Sequence, residues 1–341
     1  MKVGIINVSG YAGSELARIL HSHPEVELAS VTGRSAAGKR LGEIYPHLER
    51  LDLTITPDLT GSLDVVFSAL PHAASAERVG PLVEQGVNVI DLSADFRLKD
   101  LSVYEEWYKV EHPCPQYVED AVYGLTELHR TEVAPASLVA VPGCYPTASI
   151  LGLAPAMKAG IIEPDIIVDA KSGVSGAGRG KFPYSEVNES VMAYSLDGHR
   201  HMPEISQELD RLDGSADVAL TFVPHLVPMT RGILASCYAP LKKAAFASGD
   251  VAKARVREVY NDFYSDESFV TVVDEPPMTK HTLGNNFCLV YPTVDTRAGR
   301  LVVISCLDNL IKGAAGQAVQ NMNLMLGYPE DEGLRQLAIY P

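Results

Sequence analysis

The sequence has little of several features that mark particular protein classes. Its 341 residues include only five cysteines, at positions 114, 144, 237, 288 and 306, and no two of them form a C-x-x-C pair. An odd, scattered set of this kind argues against a disulfide framework and against structural zinc. No apolar run approaches about 18 residues, and no basic segment followed by an apolar run opens the chain, so neither a membrane span nor a secretion signal is predicted. We expect a reduced, cytoplasmic protein.

Positive charge is also scarce, with 28 Lys and Arg against 43 Asp and Glu and a formal net charge of −15. Such a surface repels nucleic acid and anionic membranes, so neither is an expected partner, although a local basic pocket could hold a small phosphorylated ligand. The 46% of hydrophobic residues is enough to build two domain cores from this length.

Strands and helices alternate along the first part of the chain. Residues 2–7 predict an apolar strand, which leads through a glycine turn into a helix over residues 14–23. Further strands are predicted at 26–32, 64–70 and 87–92. This alternation is typical of an α/β fold with a doubly wound parallel sheet. From about residue 162 the predicted strands are longer and indicate a second, α+β domain with a mixed sheet: 162–171, 217–223, 233–241, 287–294 and 301–306.

The first turn carries a dinucleotide-binding signal. Gly10 and Gly13 follow a strand and open a helix, an arrangement that lets the backbone approach a pyrophosphate. The usual first glycine of this motif is replaced by Asn7. Asparagine tolerates positive φ better than most residues, so the turn can survive the replacement.

The segment after the second strand predicts which dinucleotide is bound. An NAD-binding protein usually has an acidic residue here, whereas this chain has Arg34, Ser35, Lys39 and Arg40. Cations and a hydroxyl favour a 2′-phosphate, and therefore NADP(H). The alternative interpretation is a solvated basic loop.

Cys144 is the strongest candidate for a nucleophile. Residues 137–141 predict a buried strand, Pro142-Gly143 a turn and Pro146 the first turn of a helix. The cysteine then lies beside helix N–H groups that have no partner, and these stabilise a thiolate over a thiol. The alternative is a cysteine that merely packs in the core.

Two histidines in His199-Arg200-His201 could supply an acid/base partner. In an extended segment both would lie on one face, as zinc ligands sometimes do, but no further ligand group is spaced to complete a metal site. Arg231 precedes an apolar strand, where it is either a surface cation or a group that binds a substrate carboxylate. The glycine-rich stretch 172–180 predicts an irregular loop at the active cleft.

Eight blocks, in order along nearly the full chain, carry a family resemblance. They are residues 9–13 (Ser-Gly-Tyr-Ala-Gly), 91–98 (Asp-Leu-Ser-Ala-Asp-Phe-Arg-Leu), 123–128, 142–147 (Pro-Gly-Cys-Tyr-Pro-Thr), 171–179, 199–204, 224–233 and 308–318. Together they resemble the N-acetyl-γ-glutamyl-phosphate reductase family of arginine biosynthesis. Asn7 and Gly33 depart from the family's customary glycine and serine.

The resemblance implies an NADP-dependent enzyme that reduces an acyl phosphate to an aldehyde through a cysteine thioester. It implies a semialdehyde-dehydrogenase-like organisation, with an NADP-binding Rossmann domain at 1–145 and a catalytic and oligomerisation domain at 146–308. A helix within about 309–341 is expected to pack back on the first domain. A homo-oligomer, either dimer or tetramer, and a small-molecule acyl phosphate substrate are implied as well.

The resemblance also implies roles for individual residues. Cys144 would be the nucleophile and His199 the acid/base group, with His201 as the second choice, while Arg231 and Arg200 would hold the substrate carboxylate. The implied cofactor contacts are Ser9, Gly10, Tyr11, Ala12, Gly13, Arg34, Ser35, Lys39, Ser175, Gly176, Asn309 and Lys312.

Three alternatives stay open. The related reductase of lysine biosynthesis acts on a carrier-protein-bound aminoadipyl phosphate, but Tyr145-Pro146-Thr147 after the cysteine favours the arginine-pathway enzyme. Aspartate-semialdehyde dehydrogenase has a different pattern at the His-Arg-His block. A catalytically silent NADP-binding sensor would share the fold, since function resides in the site.

Overall fold

The computed structural model describes residues 1–214, 217–242 and 249–341. Its first part contains β1 (Lys2–Ile6), α1 (Tyr11–His21), β2 (Glu27–Val31), α2 (Leu41–Ile44), β3 (Val65–Ser68), α3 (Ala76–Glu84), β4 (Asn88–Asp91), α4 (Leu101–Tyr108), β5 (Val122–Tyr123), α5 (Thr126–Val133) and β6 (Leu138–Ala140). The elements that follow are α6 (Cys144–Lys158), β7 (Asp165–Gly173), α7 (Tyr184–Val187), β8 (Met192–Ala193), α8 (Met202–Asp213), β9 (Ala219–Val227), β10 (Ile233–Pro240), α9 (Gly249–Phe263), β11 (Val270–Val272), β12 (Cys288–Asp295), β13 (Arg300–Leu307) and α10 (Gly316–Leu326). Among the described residues, no helix combines the length and apolarity that crossing a bilayer requires.

The chain folds as two units, one made of Met1–Gly143 and Ala314–Gln336, the other of Cys144–Gly313 and Leu337–Pro341. In the first unit six strands form a parallel sheet in the order β2-β1-β3-β4-β6-β5. In this order β2 lies on one side of β1 and β3 on the other. The direction of the strand order therefore reverses at β1, which places a topological switch point beside its carboxyl end. Ligands of such sheets bind there, outside the carboxyl ends of the strands. The predicted doubly wound sheet is confirmed.

The last helix belongs to the first unit and is tied to it by polar contacts. Gln317 and Asn321 of α10 are fully buried, and their side-chain amides donate to the Gly124 carbonyl oxygen at 2.9 and 2.8 Å. The helix expected within about 309–341 is present as α10, but a π-helical turn at Ile311–Ala315 precedes it. The sequence pattern contains no feature that distinguishes a π turn from an α-helix.

The second unit is built on a mixed sheet, whose seven strands among the described residues lie in the order β11-β12-β13-β10-β7-β9-β8. Helices α6, α8 and α9 pack on one face of it, and alternate residues of β7 (Ile166, Val168 and Ala170) are buried on that side. The opposite face stays partly exposed. The predicted mixed sheet is confirmed, but β9 extends beyond the predicted 217–223 because it pairs with β7 as far as Val227 opposite Gly173.

Candidate active site

The turn between β1 and α1 has the geometry of a phosphate-binding loop. Asn7 adopts a positive φ of 67°, so asparagine does take the conformation that the missing glycine would supply. Its side-chain Nδ2 donates to the Ala69 carbonyl oxygen at 2.8 Å. A Cβ on Gly13 would lie 2.4 Å from the Asn7 carbonyl oxygen, so only glycine lets α1 approach β1 this closely. Within the described residues no side chain caps the N-terminus of α1, so its first N–H groups can donate to a phosphate.

A cleft of about 340 Å³ lies beside this turn, bounded by Asn7, Thr32, Gly33, Arg34 and Ser35 together with residues after β3. Arg34 and Ser35 are exposed at its edge. Of the three predicted cations only Arg40 pairs with carboxylates, those of Glu49 and Asp52. Among the described residues Arg34 and Lys39 form no ion pair, so both remain available for an anionic ligand. These residues fit a dinucleotide that carries an extra phosphate.

Cys144 is the first residue of α6, as the sequence predicts. It is partly exposed, whereas the other four cysteines are buried. The N-terminus of a helix carries a partial positive charge that favours a thiolate. The N–H groups of the same helical turn can donate to an oxygen that gains negative charge during the reaction. Position and exposure therefore both suit a nucleophile.

His199 is enclosed by aromatic rings. Its centroid lies 5.8 Å from that of Tyr145, 5.6 Å from that of Tyr194 and 5.3 Å from that of Phe222, with interplanar angles between 68° and 89°. Burial among these rings removes water from the imidazole and lowers the pKa of His199 from 6.5 to about 4, with a smaller contribution from the charge of Arg200. The imidazole is therefore neutral near pH 7.

One contact fixes the tautomer of this imidazole. The backbone N–H of His201 donates to Nδ1 of His199 at 3.1 Å. Because only an unprotonated ring nitrogen accepts, the single proton of the neutral ring lies on Nε2. His199 thus presents an N–H donor on its other side.

The two tyrosines beside His199, Tyr145 and Tyr194, are hydrogen-bonded to each other and lie near the Cys144 thiol. Tyr194 donates through its hydroxyl to the Tyr145 hydroxyl at 3.2 Å, and Tyr145 donates to the His225 carbonyl oxygen at 3.1 Å. Burial raises the pKa of Tyr145, and burial together with the nearby charge of Cys144 raises the pKa of Tyr194 to about 12. Both phenols stay protonated at neutral pH. Tyr145 and Tyr194 are thus neighbours shared by Cys144 and His199.

Arg231 lies next to a buried carboxylate. Its Nη1 is 3.9 Å from Oδ2 of Asp308, which is fully buried. Asp308 also accepts from the backbone N–H groups of Gly284 and Leu310, both at 2.8 Å. The Arg231 side chain is 25% exposed, so it pairs with Asp308 and still reaches solvent. A planar guanidinium held in this way can donate two parallel hydrogen bonds to a substrate carboxylate.

Comparison with known proteins identifies the family. Residues 2–136 match the NAD-binding domain of semialdehyde dehydrogenases, and residues 144–309 match their dimerisation domain. The N-acetyl-γ-glutamyl-phosphate reductase of Dehalococcoides mccartyi is 58% identical over 100% of this chain and 99% of its own length. That of Pelotomaculum thermopropionicum is 49% identical over the same shares of the two chains. The chain belongs to the N-acetyl-γ-glutamyl-phosphate reductase family. Membership makes it an oxidoreductase with a nicotinamide-dinucleotide-binding domain.

Solved structures share the fold of this reductase family member. Aspartate semialdehyde dehydrogenase II from Vibrio cholerae, complexed with ASA, matches with a TM-score of 0.70 and 16% identity over 96% of this chain and 98% of that one. The enzyme from Candida albicans with NADP matches with a TM-score of 0.69 and 14% identity over 95% and 98%. At these identities the likeness establishes the two-domain fold.

The structure corrects two local expectations about the reductase sequence. Residues 199–201 do not form an extended segment. They form a turn into α8, with His201 in helical conformation just before Met202, because Pro203 starts a helix there. The glycine-rich stretch 172–180 is only partly irregular, since β7 continues to Gly173 and a 3₁₀ turn occupies Val174–Ala177.

Four of the residues that the resemblance implies as cofactor contacts lie in the second unit. Asn309 donates through Nδ2 to the Ser175 hydroxyl at 3.0 Å and accepts from the Gly232 N–H at 2.8 Å, and both polar side chains are buried. Gly176 is exposed. Lys312 is fully buried, with its ammonium 5.6 Å from the centre of the Phe269 ring. Because Asn309 and Lys312 are buried, their position favours a role in holding the neighbouring loops in place. Their contact with a nicotinamide stays a prediction.

The aromatic rings around His199 were not predicted from the sequence. Tyr145 could have been found, because it follows Cys144 directly. Tyr194 and Phe222 reach His199 only through the pairing of β8 with β9 and the course of the chain before α8. No local pattern indicates that contact.

Proposed function

We propose that this chain catalyses the NADPH-dependent reduction of N-acetyl-γ-glutamyl phosphate to N-acetylglutamate 5-semialdehyde and phosphate, a step of arginine biosynthesis. One observation carries the proposal. In a chain 58% identical to a reductase of this name, the partly exposed cysteine begins a helix, and the tyrosine beside it touches a neutral histidine.

Cys144 is the proposed nucleophile. Its thiolate attacks the γ-carbonyl carbon, a C–S bond forms, and the bond from carbon to the phosphate oxygen breaks with release of phosphate. The N–H groups at the start of α6 stabilise the oxyanion that develops on the carbonyl oxygen. The acyl group is then held on Cys144 as a thioester.

His199 is the proposed hydrogen-bond and acid/base partner. When bound, NADPH supplies the hydride that reduces the thioester carbon. The Nε2–H of His199 donates to the carbonyl oxygen as negative charge gathers there, and the C–S bond then breaks to release the aldehyde and the thiolate. His201 supports this role through the backbone N–H that fixes the tautomer.

Two arginines are proposed to bind the substrate carboxylate. Arg231 is partly exposed and anchored by Asp308, which limits the entropy lost when it engages a ligand. Arg200 is exposed and next to His199 in the chain. The two cations would orient the substrate with its acyl phosphate toward the thiol.

Arg34 is proposed to bind the 2′-phosphate of NADPH. Replacing it with alanine should weaken NADPH binding about tenfold or more, since one charge-assisted hydrogen bond is worth roughly 1.5–3 kcal/mol. NADH binding should change by less than about twofold. Titration of both cofactors by fluorescence, with Arg50→Ala as an exposed control, measures the difference. Equal losses for the two cofactors would contradict the assignment.

The reverse reaction tests the whole proposal. Purified protein is incubated with NADP⁺, phosphate and one of three semialdehydes, derived from N-acetylglutamate, aspartate or aminoadipate. We expect NADPH to form fastest with the N-acetylglutamate derivative. Faster turnover of the aspartate or aminoadipate compound would favour one of the two related enzymes. Binding of NADP⁺ without turnover of any semialdehyde would favour a sensor.

A cytoplasmic homo-oligomer is the proposed form of the enzyme, dimer or tetramer. Its second unit matches a dimerisation domain, and the sheet face opposite the helices carries partly exposed apolar side chains: Val223, Leu234, Tyr238, Tyr291, Val302 and Ile304. Burying them against a second copy removes apolar surface from water. Sedimentation equilibrium over a range of concentrations tests the state, and a monomer throughout would overturn it.

A further inference from the structure

Directly before α10, Gly313 lies against Cys144. Gly313 is buried in the π-helical turn Ile311–Ala315. A Cβ added to it would lie 2.8 Å from the Cβ of Cys144 and 3.2 Å from its Cα, with a Leu307 methyl carbon at 3.3 Å. Carbon atoms in ordinary contact are about 3.5–4.0 Å apart. The space beside the backbone of Cys144 therefore has room for glycine only.

The π turn is held in place by its own hydrogen bonds. The N–H of Gly313 donates to the carbonyl oxygen of Asp308 at 3.0 Å, five residues back along the chain, as in a π-helix. The same carbonyl accepts from the Ile311 N–H at 3.2 Å. The Asp308 side chain is in turn fixed by the N–H groups of Gly284 and Leu310. Retreat of the turn from Cys144 would break buried hydrogen bonds, which costs free energy.

We infer that Gly313 is a positioning residue for the nucleophile. The absence of a side chain lets the π turn pack on Cα and Cβ of Cys144 and fixes the first turn of α6, which sets the direction of the thiol. The inference rests on the proposed function in one respect, that Cys144 is the nucleophile. Nothing in the contact itself depends on the substrate.

Gly313→Ala is the direct test. The new methyl group must push Cys144 by roughly 0.7–1.2 Å to reach an ordinary carbon contact, and a displacement of about 1 Å can cost about 10²-fold in rate. We expect kcat to fall 10- to 100-fold, the second-order rate of Cys144 alkylation by iodoacetamide and its pH profile to change, and the NADPH dissociation constant to stay within about twofold.

Ala314→Gly is the matched control, because it alters the same turn without adding an atom near Cys144. It should leave kcat and the alkylation profile within about threefold of the original chain. An unchanged kcat and alkylation profile in Gly313→Ala would overturn the inference. So would an equal loss in the Ala314→Gly control.

A double-mutant cycle measures the contact without any assay of turnover. Cys144→Gly removes the Cβ with which the methyl group introduced by Gly313→Ala would collide. Gly313→Ala should therefore lower the melting temperature at least twice as much in the original chain as in the Cys144→Gly background. Folding of the double variant when Gly313→Ala alone fails to fold would also support the contact. Equal losses of melting temperature in both backgrounds, or failure of both Gly313→Ala variants to fold, would overturn it.

The cycle also separates this inference from the proposed function. If Cys144→Ser retained activity, the proposed function would be wrong, while the cycle would still test the contact between Gly313 and Cys144.

Discussion

Replacing Cys144 with serine should lower turnover by roughly 10³-fold or more, because a serine hydroxyl is not ionised at this helix N-terminus and leaves poorly from the corresponding ester. The dissociation constant of NADPH should change by less than about twofold, since the cleft beside Asn7 belongs to the first unit of the chain. The free energy of unfolding should also change little, because the side chain is partly exposed.

Single-turnover kinetics and a cofactor titration check this expectation. Cys114→Ser is the matched control, because it makes the same change at a buried cysteine whose sulfur donates to the Ala76 carbonyl oxygen. The control should keep turnover within about threefold. Steady-state activity that survives in Cys144→Ser would rule out a thioester on this residue.

Replacing His199 with glutamine should lower turnover by about 10²- to 10⁴-fold, the usual range for a positioned acid/base group. Cys144 should still be alkylated, because the helix N-terminus that favours its thiolate is unchanged. His21→Gln, on the exposed end of α1, is the control and should have no effect. Full turnover in His199→Gln would transfer the role to another group.

The low pKa of His199 also has a consequence for stability. The folded value is about 4 and the value in the unfolded chain is about 6.5. Between pH 6.5 and pH 4 the unfolded chain binds a proton that the folded chain does not. The free energy of unfolding is therefore unaffected by His199 above pH 6.5 and falls as the pH drops toward 4. Protonation would also displace the His201 N–H from Nδ1.

The melting temperature of the original chain should therefore fall more between pH 7 and pH 5 than that of His199→Gln, which does not titrate there. Scanning calorimetry at both pH values measures the difference. Parallel curves for the two proteins would mean that His199 titrates as an exposed histidine does.

The architecture was predictable because it depends on local patterns. The alternation of apolar strands with amphipathic helices predicts the parallel sheet, and the Pro-Gly turn before Cys144 predicts the start of α6, both confirmed. Asn7 was predicted to tolerate a positive φ, and it has one. Each of these features is set by residues within a few positions of one another.

The surroundings of the candidate nucleophile could not be predicted in the same way. The contacts of His199 with Phe222, and of Cys144 with Gly313, join residues far apart in the chain. In the π turn the Gly313 N–H donates to the Asp308 carbonyl oxygen, and the Asp308 side chain is itself held by the N–H of Gly284, 24 residues away in the chain. Hydrophobic periodicity does not distinguish an i−4 from an i−5 hydrogen bond.

Asn7 stands where the common motif has glycine, and its side chain adds a hydrogen bond to the turn. Its amide ties the end of β1 to the Ala69 carbonyl just after β3, a bond that glycine cannot make. Asparagine also gives the unfolded chain less backbone freedom than glycine would. A redesign that restored glycine at position 7 would therefore remove this hydrogen bond and make the loop more mobile. Anyone engineering heat resistance into the enzyme should avoid the consensus substitution at this position.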